Sequence, residues 1–131
     1  MILSVDLTGE VPIYQQIRDR VVEAIASGEL VEGDSLPSTR QLAVDLGINF
    51  HTVNKAYDLL RREGLLLINR KSGAVIQART PAQFAVEWQA RLTTLLAEAI
   101  AHGLDDQAVL EQCGAALRAF APVHTKVNTD K

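Results

Sequence analysis

Apolar residues recur at helical spacing in five stretches, broken once by two short apolar runs that read as strands. Pro12 opens the first helix, since proline is favoured where its missing N–H costs nothing. Ile13, Ile17, Val21 and Ile25 follow, with Tyr14 and Ala24 widening the stripe, and Gly28 is a natural stop. Leu36-Pro37 reads as extended, because a residue before proline avoids the helical region. Ser38 then caps a short helix over Thr39–Leu46, with Leu42, Ala43 and Leu46 on one face. Gly47 ends it, and Asn49 caps a third helix whose inward residues are Val53, Ala56, Tyr57 and Leu60, with Gly64 as its stop. Two helices joined by so tight a turn, Leu46-Gly47-Ile48-Asn49, form a helix-turn-helix pattern.

Beyond Gly64 the period changes. Leu65 to Ile68 and Ala74 to Gln77 are apolar, and Asn69-Arg70-Lys71-Ser72-Gly73 between them is polar with a turn glycine, so a β-hairpin with a basic tip is predicted. A helix-turn-helix followed by such a hairpin is a winged helix. Thr80 as cap and Pro81 in the first turn start a long helix striped by Phe84, Trp88, Leu92, Leu95, Leu96, Ala99 and Ile100, and Gly103 stops it. Asp105 caps a last helix with Val109, Leu110, Cys113, Leu117 and Phe120 on one face, and Pro122 is expected to end order ahead of a loose tail. The expected architecture is mainly α with a small β-hairpin. It comprises a winged helix-turn-helix over 1–79, a two-helix C-terminal dimerisation region over 80–121, and a flexible tail over 122–131.

Net charge first argues against a nucleic-acid partner, because the 131 residues carry a formal -3. The distribution reverses that. Residues 38–80 hold seven basic and three acidic residues, while both flanks are net acidic. A basic middle between acidic ends is a local electrostatic footprint that the global value hides. One cysteine excludes an intramolecular disulfide and makes a cysteine-built metal site unattractive, which suits a reducing cytoplasm. No apolar run approaches a membrane span, and the N-terminus lacks the basic and apolar regions of a signal peptide.

A helix-turn-helix reads DNA with the outward residues at the start of its second helix. Here these are Phe50, His51, Thr52, Asn54 and Lys55. Asn can pair with adenine, Lys with guanine, and a Thr methyl with a thymine methyl. Ser38, Thr39 and Asn49 lie at helix starts, where backbone N–H groups favour a phosphate. Arg40 projects from the first turn of the preceding helix toward a base or a phosphate, and Arg70 and Lys71 on the wing suit a minor groove or a phosphate pair. Blander roles compete. Ser38 and Asn49 cap helices with or without DNA. Arg61 and Arg62 complement a helix dipole, Tyr57 reads as core, and Phe50 either meets a base or packs against Tyr57 or the wing.

Enzymatic chemistry finds little support. His51, His102 and His124 lie far apart without metal-ligand spacing, so no metal and no cofactor is expected. Asp105-Asp106 sits where helix capping explains it. Gly28, Gly33 and Gly47 are isolated rather than a phosphate loop. Cys113 reads as a small core residue. A hydrolase built on His51 lacks a nucleophile, base and orienting group.

The chain resembles the GntR-type bacterial transcription regulators. The resemblance rests on PIYQQI in the first helix, LPSTRQLAVDLGINFHTVNKAY across the next two, LRREGLL into the wing, and Gly73, and it covers residues 10 to 78. The opening motif and the short C-terminal region are similar to the YtrA-like subgroup. The resemblance implies that Arg40 contacts DNA, that Thr52, His51 and Lys55 belong to the recognition helix, that Gly73 is the wing glycine, and that the two C-terminal helices pair two copies. It also implies repression of operons that include membrane transporters, commonly the regulator's own. The pattern breaks at Phe50 and Asn54, where many members have arginine, at Phe50 and His51, where the subgroup often has proline and asparagine, and in the wing at Lys71 and Ala74-Val75. Operator sequence therefore does not transfer from relatives.

The expected function is a homodimeric DNA-binding repressor on a palindromic operator. An effector, of no class the residues identify, would have to bind at the dimer interface or between head and helices. The alternative is a winged-helix module that binds protein rather than specific DNA, in which Arg40, Lys55, Arg70 and Lys71 need not share a face.

Overall fold

The computed structural model describes residues 3–69, 73–77 and 83–129. They divide into two compact units, 1–79 and 80–131. The first contains α1 (Ile13–Ala26), β1 (Ser35–Leu36), α2 (Thr39–Leu46), α3 (Phe50–Arg62), β2 (Leu66–Asn69) and β3 (Gly73–Ile76); the second contains α4 (Phe84–Ala101) and α5 (Asp106–Thr129).

Local chemistry sets the ends of the helices in the first unit. Pro12 precedes α1 as its cap residue, one position earlier than expected. The Ser38 hydroxyl accepts from the Gln41 N–H at 3.1 Å, and the Asn49 side chain accepts from the His51 N–H at 2.8 Å. These caps satisfy amides that have no partner inside the helix. Between them Gly47 adopts φ 67°, the left-handed conformation that turns the chain out of α2. No atom crowds a Cβ built there, so a side chain at Gly47 would cost backbone strain rather than space.

The inward stripes of α1 and α3 meet at full burial. Ile17, Val53, Ala56, Leu60 and Leu66 have no exposed surface, and Val21, Leu42, Ala43, Tyr57 and Ile76 are among the other members of the same cluster. The sheet covering one side is three-stranded, in the order β1-β3-β2 and antiparallel throughout. Its hairpin pairs Leu66 with Ile76 and Asn69 with Gly73, close to the expected runs. The third strand was not expected: Ser35 and Leu36 pair with Val75 and Ala74. Two residues are too few to show a strand period, and only their distant partner makes them one.

Three long-range contacts fasten the unit. Gln16, buried although polar, accepts from the Asp6 N–H at 2.7 Å and donates to the carbonyls of Asp6 and Val11, which ties the N-terminal segment to α1. Arg18 meets Glu63 through both carboxylate oxygens, at 3.0 and 3.1 Å, joining α1 to the end of α3. Tyr57 is core, as its spacing suggested, and its hydroxyl donates to the Pro37 carbonyl at 2.7 Å. Burial pushes the Tyr57 phenol above its ordinary pKa, so it remains a donor. Replacing Tyr57 with Phe is expected to remove about 1 kcal/mol, the net worth of a buried hydrogen bond. Urea unfolding should show a lower midpoint at unchanged slope.

In the second unit α4 starts at Phe84, and the Thr80 cap and Pro81 first turn predicted for it lie outside the described residues. Gly103, at φ 96°, turns the chain after α4. The Asp105 carboxylate accepts from the Ala108 N–H at 2.8 Å, capping α5 as expected. Helix α5 runs to Thr129, through the Pro122 position where order was expected to end. Proline removes one backbone hydrogen bond but holds φ at a helical value. Among the residues of this unit whose burial is described, 83–120, no apolar side chain is core. None in α4 is buried; Phe84, Trp88, Leu95, Ile100, Leu110 and Leu117 are exposed, and Leu92, Leu96, Val109 and Phe120 are half-buried. Cys113, read from its stripe as a core residue, is exposed as well. Helical spacing reports which residues share a face; it does not report whether the same chain covers that face.

Candidate nucleic-acid interface

The two caps and the Gly47 turn present the start of α3 outward. Val53, Ala56, Tyr57 and Leu60 point into the core, so the intervening positions His51, Asn54 and Lys55 are exposed, and Thr52 is half-buried with its N–H bonded to the Asn49 carbonyl at 3.0 Å. On α2, Arg40 is exposed and Thr39 half-buried. Ser38, Thr39, Arg40, Asn49, Phe50, His51, Thr52, Asn54 and Lys55 therefore lie on or beside the first turns of two adjacent helices. Gly73 opens β3 at φ 71° with open space around it. Arg70 and Lys71 lie outside the described residues.

Charge pairing separates cations that sequence counting treats alike. Arg18 pairs with Asp19 and Glu63, and Arg20 with Glu23. Asp58 takes both Arg61, at 2.6 Å, and Arg62, at 3.1 Å. The Arg61 hydrogen bond, with Arg62 beside it, holds the Asp58 carboxyl below its ordinary pKa. Both arginines also end α3, where the helix dipole favours them. Among the described residues of the first unit, the cations without an ion-pair partner are Arg40 and Lys55.

Each of these two lies against an aromatic ring instead. The Arg40 guanidinium carbon is 4.9 Å from the centroid of Phe50, and the Lys55 ammonium nitrogen is 4.1 Å from that of Tyr14. Phe50 is half-buried and packs on the core cluster; its ring centroid is 4.2 Å from that of His51, with the planes 34° apart. Sequence reasoning counted Tyr14 only as part of the α1 stripe. Its position under Lys55, 41 residues along, has no local signal. Phe50, expected to meet a base or to pack against Tyr57 or the wing, lies half-buried against the core cluster with the Arg40 guanidinium over its ring.

No group of three or more His, Cys, Asp or Glu side chains among the described residues could hold a metal ion. A cavity of about 430 Å³ is lined by Leu3, Leu30, Leu36, Pro37, Leu42, Leu46, Ser35 and Asp45.

A family model described as bacterial regulatory proteins, gntR family, matches residues 13–76, which takes in every element from α1 to β3. The HTH-type transcriptional repressor YtrA of Bacillus subtilis is 39% identical over 74 residues, a match spanning 56% of this chain and 57% of that repressor. Among solved structures, YtrA from Sulfolobus acidocaldarius, a GntR-family transcription factor, superposes with a TM-score of 0.64 at 40% identity, covering 77% of this chain and 99% of that one. AraR(DBD), solved in complex with operator ORX1, superposes with a TM-score of 0.52 at 25% identity over 57% of this chain and 96% of that one. With the winged helix-turn-helix observed and relatives of this kind aligned across it, the chain belongs to the gntR family of bacterial regulatory proteins.

Proposed function

We propose that the chain is a sequence-specific DNA-binding transcription regulator, acting as a repressor on a palindromic operator, and that α4 and α5 pair two copies in the cytoplasm. The observation that carries the reading is the charge pattern at the start of α3. Of the described cations in the head, the two left without a carboxylate partner lie at the first half of α3: Arg40 over the Phe50 ring, and Lys55 exposed on α3 four residues after His51. Cations that contact phosphates release counterions only if no carboxylate neutralises them already. A protein-docking module has no need to leave Arg40 and Lys55 unpaired there.

Pairing of two copies is supported by the second unit. Large exposed residues there, among them Phe84, Trp88, Leu95, Ile100, Leu110 and Leu117, form apolar surface on α4 and α5. A two-fold dimer would present two reading helices to successive major grooves, about 34–36 Å apart, and so select a palindrome. Repression follows if that site overlaps a promoter, and the YtrA relative supports a repressor over an activator. A transporter operon that includes the regulator's own gene is the target the subgroup resemblance suggests.

Gel shifts on the DNA upstream of the chain's own gene, over a salt series, test the proposal. Binding is expected to weaken as salt rises, with a log–log slope of about -0.9 per phosphate contact. Arg40→Ala is expected to weaken specific binding roughly tenfold, within the range of one good side-chain-to-base pairing. Unchanged specific affinity in that variant would remove α2 from the interface, and salt-independent or absent binding by the wild-type chain would overturn the reading as a whole.

A further inference from the structure

We propose that Phe50 is a positioning residue for sequence reading: its ring is the seat that holds the Arg40 guanidinium ready to meet a base edge. The inference rests on the DNA reading above and assigns Phe50 no base contact of its own. Phe50 offers no hydrogen bond to a base, and it is half-buried against the core cluster, so its ring is fixed at the start of the recognition helix.

The geometry supplies the reason for this assignment. The Arg40 guanidinium lies over the Phe50 ring at 4.9 Å. A guanidinium held over a ring is attracted by the ring's negative face, and this contact takes up none of its hydrogen-bond donors as a carboxylate would. A carboxylate partner does the reverse: Asp58 takes up donors of both Arg61 and Arg62 and offsets one of their two charges. Arg40 is thus oriented without being neutralised. The seat itself is fixed. Phe50 packs on the core cluster, and the His51 ring lies against it at 4.2 Å. Asn49 holds this turn by capping the helix through the His51 N–H. A long side chain held in place before binding loses less freedom when it binds, so the ring raises affinity only where Arg40 finds its base.

The test uses the full chain and a duplex selected from a random library by the wild type, titrated beside a scrambled duplex of equal length. Phe50→Leu is expected to weaken binding to the selected duplex by roughly fivefold, the scale of an exposed cation–π contact, and to leave the scrambled duplex unaffected. Phe50→Trp, which keeps a π-face, should retain the preference. In an Arg40→Ala background, adding Phe50→Leu should cost nothing further. If Phe50 itself touched a base, the loss would persist without Arg40, and the proposal would be overturned. It would also be overturned if Phe50→Leu left the preference unchanged, or if Phe50→Trp lost it equally. Circular dichroism guards against misfolding; if the Leu variant loses its helix signal, Phe50→Met fills the same space without a ring and takes its place in the cycle. If the wild type enriches no sequence, the DNA reading falls together with the seat. An enriched site with no coupling between Phe50 and Arg40 removes the seat alone.

Discussion

With α4 and α5 pairing two copies as proposed, Leu95→Asp is expected to give a monomer and to weaken binding to a palindromic site about 100-fold, the scale lost when two linked heads become independent. Leu95 is 60% exposed on α4, so an aspartate there is solvated in the single chain and should leave its fold intact. In a dimer packed through this surface, the same carboxylate would be buried without a partner, which an apolar interface does not tolerate. Sedimentation velocity reads the oligomeric state. Titrations on a full palindrome and on a half-site read the functional consequence. The wild type should prefer the full palindrome strongly, and the variant should bind both about equally. A variant that sediments as a dimer, or retains the full-site preference, would remove α4 from the interface.

Leu60→Ala is expected to lower stability by about 3 kcal/mol, in the middle of the range for emptying a packed leucine site. Leu60 has no exposed surface and stands on α3 facing the core shared with α1. Few domains have more than about 5–15 kcal/mol of total stability, so this one change should shift the folded-to-unfolded ratio by more than a hundredfold. Chemical denaturation measures it directly. Val44→Ala is the matched control. Val44 is 76% exposed on α2, and removing its methyl groups should change stability by less than about 0.5 kcal/mol. Equal losses in the two variants would mean that the α1–α3 core does not carry the head. The loss also bears on DNA binding, because the side of α3 opposite Leu60 carries the outward residues His51 and Asn54.

Features written into neighbouring residues were legible in advance. Ser38 and Asn49 cap the helices they were expected to cap, because a side-chain cap reaches only two or three residues along the chain. The Gly47 turn and the hairpin around Gly73 were legible for the same reason. The candidate reading residues follow from the same local logic, since a helix with Val53, Ala56, Tyr57 and Leu60 inward must place His51, Asn54 and Lys55 outward. Charge was only half legible. Counting found a basic middle, but Asp58 stands three and four residues from the two arginines it pairs with, and ion pairs decide which cations are left without a carboxylate partner.

By itself, then, the sequence determined the order of the helices, the caps at Ser38, Asn49 and Asp105, the winged order of elements and the outward set on α3, because each depends on spacing and on contacts within a few residues. Tertiary structure alone decided the rest. It made a strand of Ser35 and Leu36 by bringing them to β3, and it set Gln16 to clamp the N-terminal segment. It placed Phe50 under Arg40 and Tyr14 under Lys55. It left the stripes of α4 and α5 uncovered in the described chain, where spacing alone had read Cys113 as core. The physical reason is common to all of them. Periodicity along a chain records which residues share a face, and only the packing of distant segments decides what that face meets.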